Sequence, residues 1–181
     1  MNKKIKKLVE QQEICSIYNN PEDTNKFAVG YFIKCDEEYA IVESINPYGQ
    51  SDGIFWLPIE NIIKIETKNK YTCCIKKLFD YYKQTRHYTW QFSENLLLDM
   101  LNYIKNNAKI CTMELCDSIK DDVQGFIVDI SNEVIKMKII DSYGYEDGEV
   151  FVNGNNISCL ACDSSEEKKI EVLFNLNKTK L

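Results

Sequence analysis

The single histidine is the first residue whose chemistry could support catalysis. His87 is the only histidine in the chain, so a hydrolase triad or a histidine-based metal site would have to be built around it. It lies in the polar stretch KQTRHYTW at residues 83–90, and the spacing indicates no nucleophile or second ligand for it. We interpret His87 as a linker residue beside aromatic neighbours.

Four of the eight cysteines raise the possibility of a zinc site, since four thiolates can close a tetrahedral shell around the metal. They are Cys111, Cys116, Cys159 and Cys162. Cys159 falls in a predicted strand, where residues three apart face opposite sides, whereas zinc-binding cysteine pairs usually lie on turns. No helix begins at this pair to lower a thiol pKa, which disfavours a redox function. The sequence favours buried cysteines and leaves zinc open.

Adjacent carboxylates are a further source of acid–base chemistry. The pairs here all look like solvated turns or helix N-termini: Glu37-Glu38, Asp121-Asp122 and Glu166-Glu167. The sequence has no glycine-rich phosphate loop, and its Tyr-Gly-x-x-Asp-Gly turns lack the further carboxylates of a calcium site. We therefore expect a non-enzymatic protein without a cofactor.

An internal repeat organises the elements that position these residues. The chain matches itself at the separation of Gly30 from Gly125, and Ile14-Cys15 matches Ile110-Cys111 with one residue inserted. The same separation aligns Tyr48-Gly49 with Tyr143-Gly144 and Asp52-Gly53 with Asp147-Gly148. These are positions at which backbone geometry restricts the residue type, so the pattern predicts a duplication.

Each copy is predicted to contain a helix, five short strands and a second helix. In the second copy, Ser93 is a natural N-cap for an apolar helical face. Strands are expected at 109–115, 123–130, 134–140, 149–152 and 157–161, followed by a helix from Ser164. Alternation over 135–139 places three apolar side chains inward and two lysines in water.

The predicted fold class is mainly β with flanking helices (α+β), with two tandem five-stranded barrels. The expected boundaries are 1–84 for the first module, 85–92 for a linker and 93–181 for the second module.

The layout resembles the Sm-like family of small SH3-type β-barrels. The segment VQGFIVD at 123–129 is similar to the first Sm signature, an apolar-x-Gly-x-apolar pattern followed by an acidic residue. In Sm-like RNA binders, the turns after the second and fourth strands present an asparagine and an arginine-glycine pair. The corresponding turns here contain no arginine, and only Asn132 matches. The resemblance therefore implies the fold but not the RNA site.

Composition narrows the class of partner. The formal net charge is −6, which opposes sequence-independent binding to a phosphate backbone. The lysine-rich first residues do not form the apolar core of a signal peptide, and no apolar run is long enough to span a bilayer. We expect a cytoplasmic protein that does not enter a membrane.

The candidate partner-binding residues are aromatic and occur in both copies: Trp56, Phe151, Tyr48 and Tyr143. Alternation turns Trp56 and Phe151 to the face opposite the predicted core. Two interpretations of Trp56 and Phe151 stay open. Their rings pack inside the protein, or they anchor a partner, as aromatic side chains often do at interface hot spots.

Unpaired strand edges offer a second binding route. We expect an adapter that binds a protein, with a homo-oligomer possible. One alternative is an acidic immunity or inhibitor protein for a basic toxin. The other is a divergent Sm-like RNA-binding protein that uses two groups of basic residues: Lys3, Lys4, Lys6 and Lys7, and Lys76, Lys77, Lys83 and Arg86.

Overall fold

The chain folds into two compact units, Met1–Leu96 and Leu97–Leu181. The structure is a computed structural model that describes residues 1–20, 23, 25–85, 88, 92–116 and 122–179. Most of the expected linker at 85–92, with His87, lies outside these residues. None of the described helices is long and apolar enough to cross a membrane.

The first unit contains two helices and an antiparallel sheet. In chain order its elements are α1 (Asn2–Gln11), β1 (Cys15–Tyr18), β2 (Ala28–Cys35), β3 (Tyr39–Ile45), β4 (Ser51–Pro58), a 3₁₀ turn (Ile59–Asn61), β5 (Lys64–Thr67) and α2 (Lys70–Tyr81). The strand order is β5-β1-β2-β3-β4. The Asn69 side chain caps α2 by accepting a hydrogen bond from the Thr72 amide at 2.8 Å.

The second unit has the same succession of elements. They are α3 (Leu96–Asn106), β6 (Ile110–Leu115), β7 (Val123–Ser131), β8 (Val134–Ile140), β9 (Glu146–Asn153), a 3₁₀ turn (Gly154–Asn156), β10 (Ile157–Cys162) and α4 (Ser165–Lys178). The order β10-β6-β7-β8-β9 repeats that of the first unit. Ser93 does not start α3: its hydroxyl accepts the Asn95 amide at 3.1 Å, and the helix begins at Leu96.

The mainly β, α+β class expected from the sequence is confirmed. All the strand pairs within each unit are antiparallel, and the strand order is linear. Among the described residues, the two end strands of each unit's sheet do not hydrogen-bond to each other. Each sheet is therefore open along its hydrogen-bonding direction.

Two glycines fix the close contact of neighbouring strands. Gly30 pairs with Cys15 across β1 and β2, and Gly125 pairs with Cys111 across β6 and β7. A Cβ at Gly30 would overlap the carbonyl oxygen of Glu43, and one at Gly125 would overlap that of Lys138. Because only glycine lacks this atom, both positions require it for the neighbouring strand to pass so closely.

The second helix of each unit covers one face of its sheet. The core beneath α2 consists of Ile14, Val29, Tyr31, Ile45, Ile75 and Phe79. The core beneath α4 consists of Ile110, Ile140, Ile170 and Phe174, with Phe126 packed against it. Burial of these apolar side chains is the main force that holds each helix on its sheet.

A bulge corrects the inward pattern predicted for 135–139. Ile135 and Met137 are buried as expected, but the pairing of β8 with β9 shifts register between Lys138 and Ile140. Ile139 is only half-buried and Ile140 is buried instead. The extra residue of this bulge lies in β9, because the step from Lys138 to Ile140 spans two residues while the paired step from Glu149 to Glu146 spans three.

Candidate partner-binding surface

The β3–β4 turn of the first unit holds Tyr48 in a fixed backbone conformation. The Asn46 side-chain oxygen accepts hydrogen bonds from the Tyr48 and Gln50 amides, both at 3.0 Å. The Gln50 carbonyl in turn accepts the Asn46 amide at 2.9 Å. An asparagine side chain that bonds to the backbone ahead of it is a standard way to stabilise a turn. The Tyr48 ring nevertheless remains 73% exposed.

The β8–β9 turn of the second unit repeats this arrangement with an aspartate. The Asp141 carboxylate accepts the Tyr143 amide at 2.9 Å and the Tyr145 amide at 2.8 Å. The Asp141 amide donates to the Tyr145 carbonyl at 2.9 Å. Tyr143 is 72% exposed, so the two equivalent turns present the same side chain to the same extent.

Both turns pack against the second helix of their unit through a glycine. Gly49 and Gly144 have φ of +77° and +80°, and a Cβ on either would collide with the helix. Gly49 lies against Leu78 of α2, and Gly144 lies against Leu173 of α4. The contact leaves no room for a side chain, so each turn is positioned directly on its helix.

An exposed apolar side chain follows one helical turn beyond each contact. Tyr81 comes three residues after Leu78, and Leu176 three residues after Leu173, and both are exposed. Residues three apart are neighbours on a helix surface. We call the pair Tyr48 and Tyr81, and the pair Tyr143 and Leu176, the turn patches.

The second unit's patch has one additional support. The Asn177 side-chain amide donates to the Tyr143 carbonyl at 3.0 Å and to the Gly144 carbonyl at 3.2 Å. These bonds connect the last turn of α4 to the tip of the β8–β9 turn. The backbone that carries Tyr143 is therefore held from two sides.

Phe151 and Trp56, predicted as equivalent anchors, occupy opposite environments. Phe151 is 67% exposed on β9, and the Lys136 ammonium lies 5.8 Å from its ring centroid. Trp56 is only 2% exposed and stacks on Tyr39 at 4.7 Å between ring centroids. The expectation that Trp56 offers its ring to a partner is therefore corrected, because the indole is already packed inside the protein.

The four cysteines considered for zinc lie on or beside two paired strands. Cys111 and Cys162 are partners in the β6–β10 register, Cys159 is also buried, and Cys116 is exposed. Burial raises the pKa of the Cys111, Cys159 and Cys162 thiols, which favours the protonated form. Within the described part of the chain, no group of three or more histidine, cysteine or acidic residues is placed to hold a metal.

An ion pair occurs at equivalent places in the two units with its charges reversed. In the first unit, Glu13 lies 3.7 Å from the Lys68 ammonium, while in the second Lys109 lies 2.9 Å from Asp163. Lys68 and Asp163 both have positive φ, 58° and 63°. In each unit the ion pair therefore joins the segment just before the first strand to the segment just before the second helix.

Two further residues considered from the sequence, Asn132 and Glu167, lie in a turn and at the start of a helix. Asn132 forms the β7–β8 turn with φ of 53° and is exposed. Glu167 closes a capping box with Ser164 at the start of α4, and its carboxylate also accepts the Thr112 hydroxyl at 2.7 Å. The Glu167 carboxylate therefore stabilises the start of α4. His87 and Asp121 lie outside the described residues.

Sequence reasoning missed the helix halves of the turn patches and the reversed ion pair. Tyr81 and Leu176 are aligned by the repeat, and so are Lys68 and Asp163, so the same alignment contained the signal. Comparisons with protein-family models, with curated proteins and with solved structures found no match.

Proposed function

We propose that this chain is a non-enzymatic adapter that binds a protein partner in the cytoplasm through its turn patches. The observation that supports this most directly is the matched exposure of Tyr48 and Tyr143 on turns held by equivalent hydrogen bonds. Large exposed aromatic side chains on a fixed backbone lose little conformational entropy on binding. Tyrosine is also enriched among residues that dominate interface energies.

Each turn patch combines an aromatic tip with an apolar helix residue. The turn backbone rests on the helix at the turn glycine, three residues before the exposed helix residue. A partner that covers Tyr48 and Tyr81, or Tyr143 and Leu176, would remove adjacent apolar surface from water, which is the main favourable term in association. Phe151 adds a further exposed aromatic side chain on the second unit.

We also propose that the two units are copies of one Sm-like module of the SH3-type barrel class. The equal strand order, the equal pairing of Cys15 with Gly30 and of Cys111 with Gly125, and the equal place of the reversed ion pair support this proposal. A duplicated module would give one chain two similar binding surfaces, which raises avidity when a partner carries two matching sites.

The test is capture of a partner by wild-type and variant protein from nuclease-treated native lysate. We expect the double variant Tyr48→Ala, Tyr143→Ala to lose a partner that wild-type protein retains in stoichiometric amount. Tyr71→Ala is the matched control, because Tyr71 is an exposed tyrosine near the other end of α2. Retention by the double variant would contradict the proposal, and an eluate emptied by nuclease would favour the RNA-binding alternative.

A further inference from the structure

A cavity of about 430 Å³ opens in the first unit between the end of α1 and the first two turns of α2. The lining combines polar and apolar residues with two lysines: Gln11, Gln12, Glu13, Ile14, Lys68, Thr72, Cys73 and Lys76. It is separate from the turn patch, because it lies at the opposite end of α2 from Tyr81. Its volume exceeds that of a single planar polar group, so a small ligand or a side chain of a partner can enter.

Glu13 is the charged residue of this cavity with an unmet hydrogen-bonding requirement. Its side chain is 15% exposed, and its Oε1 atom is buried with no hydrogen-bond donor among the described residues. Its Oε2 atom lies 3.7 Å from the Lys68 ammonium, which is beyond hydrogen-bond length, and the Lys68 side chain is 79% exposed. A buried carboxylate oxygen without a donor is unfavourable, so a ligand that supplies donors gains affinity.

In the second unit the ion pair is reversed, so its carboxylate is Asp163, at the position of Lys68, and the hydrogen-bonding requirements of that carboxylate are met internally. There Asp163 accepts the Tyr103 hydroxyl at 3.1 Å and lies 2.9 Å from the Lys109 ammonium. In the first unit the carboxylate is instead Glu13, at the position of Lys109, and Tyr103 aligns with the exposed Lys7. The first unit thus has a cavity beside a carboxylate whose Oε1 atom has no hydrogen-bond donor among the described residues.

We propose that the cavity at Glu13 binds a guanidinium group. A guanidinium presents parallel N–H donors that match both oxygens of one carboxylate, whereas an ammonium makes a point contact and is more strongly hydrated. The terminal torsion of glutamate is soft, so the carboxylate can turn both oxygens toward the ligand. The side-chain oxygens of Gln11 and Gln12 can accept the remaining donors.

The chain's charge favours the same ligand. The formal net charge of −6 attracts cations to the surface. Two lysines line the cavity and oppose a cationic ligand. Lys76 is paired with Asp80 at 2.8 Å, and Lys68 competes for Oε2 from a largely solvated position. This competition gives the proposal a distinctive consequence, since removing a lysine from a site for a cation should tighten binding.

The experiment is a titration followed by calorimetry and by amide chemical shifts of the full chain. The probes are L-arginine amide and the peptide acetyl-Ala-Arg-Ala-amide, each compared with its citrulline counterpart, which has the same shape without the charge. We expect both arginine probes to shift the amides of Glu13, Lys68 and Thr72, and the citrulline probes to leave them unchanged. Binding of citrulline with equal affinity, or no shift at tens of millimolar arginine probe, would overturn the proposal.

Variants distinguish the carboxylate from its surroundings. Glu13→Gln should weaken binding by about tenfold or more, since it removes the charge and the second acceptor. Glu10→Gln is the matched control on the exposed side of α1 and should bind as wild type. Lys68→Ala should tighten binding several-fold. Unchanged affinity in Glu13→Gln, or weaker binding in Lys68→Ala, would contradict the assignment.

The source of the guanidinium follows from the two probes. Tighter binding of the peptide than of arginine amide would indicate an arginine of a partner protein, and equal binding a free guanidine compound. The double variant Tyr48→Ala, Tyr143→Ala should bind both probes normally, because these residues do not line the cavity. Failure of the adapter proposal and failure of the guanidinium site therefore give different results.

Discussion

In the second unit, the buried Asp163 carboxylate contacts two side chains that titrate, those of Tyr103 and Lys109. Burial is the larger cause that raises the pKa of Tyr103, and the charge of Asp163 adds to it. The hydrogen bond to Asp163 is the larger cause that raises the pKa of Lys109. Both groups therefore hold their protons more firmly in the folded protein than in the unfolded chain.

We expect stability to fall at alkaline pH for this reason. A group whose pKa is raised by folding contributes stability below its unfolded pKa, and that stability is lost as pH rises through the folded value. The unfolded values are 10.0 for tyrosine and 10.5 for lysine, so the loss should begin near pH 10. Urea unfolding at several pH values should show this decline.

In the variant Tyr103→Phe, the free energy of unfolding should decline less steeply with rising pH, since the variant lacks the hydroxyl proton that Tyr103 holds in the folded protein. The matched control is Tyr145→Phe, which alters an exposed ring and should leave the pH dependence as in wild type. Equal slopes for wild type and Tyr103→Phe above pH 10 would contradict the assignment of this pH dependence to the Asp163 cluster.

The cysteines should divide into two groups by reactivity. Cys73, Cys74 and Cys116 are exposed, Cys15, Cys111, Cys159 and Cys162 are buried, and the eighth cysteine, Cys35, is half-buried and falls between the two groups. Burial raises the pKa of Cys15 to about 12, and thiolate is the reactive form. Iodoacetamide at neutral pH should therefore label the exposed group in minutes and the buried group only after unfolding, as peptide mass spectrometry can measure. Rapid labelling of Cys111 in the native protein would contradict the structure.

At the scale of elements, the turn-to-helix contact can be tested with three glycines. Gly144→Ala and Gly49→Ala place a Cβ at positive φ and against a helix, with the Phe174 amide nitrogen 2.5 Å from the Cβ in the first case. Gly148→Ala has a similar φ of +91° but no atom within 4 Å of its Cβ. It therefore isolates the backbone strain.

We expect Gly148→Ala to lower the free energy of unfolding by about 1–2 kcal/mol. Gly144→Ala should lower it by roughly 2–4 kcal/mol, because overpacking adds to the strain. Urea denaturation monitored by circular dichroism measures both. An equal loss in the two variants would indicate that the turn does not rest on α4.

The sequence predicted most elements because their patterns are local. Strict alternation and glycine spacing located β7 and β8, and the Ser164 motif located the start of α4. Alternation could not separate Trp56 from Phe151, since it gives the face of a strand and not what covers that face. The bulge before Ile140 was also missed, because a bulge depends on pairing with the neighbouring strand.

The candidate site was predictable only in part. The repeat identified Tyr48 and Tyr143, but their exposure and their support by Asn46 and Asp141 are tertiary facts. The cavity at Glu13 depends on how the end of α1 meets α2. No local pattern in the sequence contains that geometry, because the residues involved are separated by some fifty positions.

At the scale of the whole molecule, net charge sets an expectation about nucleic acid. A chain of formal charge −6 gains little from counterion release on a phosphate backbone. We expect no binding of a fluorescent uridine oligonucleotide at about 150 mM salt, as measured by anisotropy. Binding that weakens steeply as salt is raised would instead support the RNA-binding alternative and would assign the lysines of α1 to phosphate contacts.

Two similar sheets in one chain risk exchanging strands while they fold, since each strand has an equivalent competitor. The reversed ion pair discriminates between the correct and exchanged partners. If β1 entered the second sheet, Glu13 would meet Asp163, and in the reciprocal exchange Lys109 would meet Lys68. Like charges disfavour both exchanges, while opposite charges favour both native pairings. The opposite order of charges in the two units thus favours pairing of each first strand within its own unit.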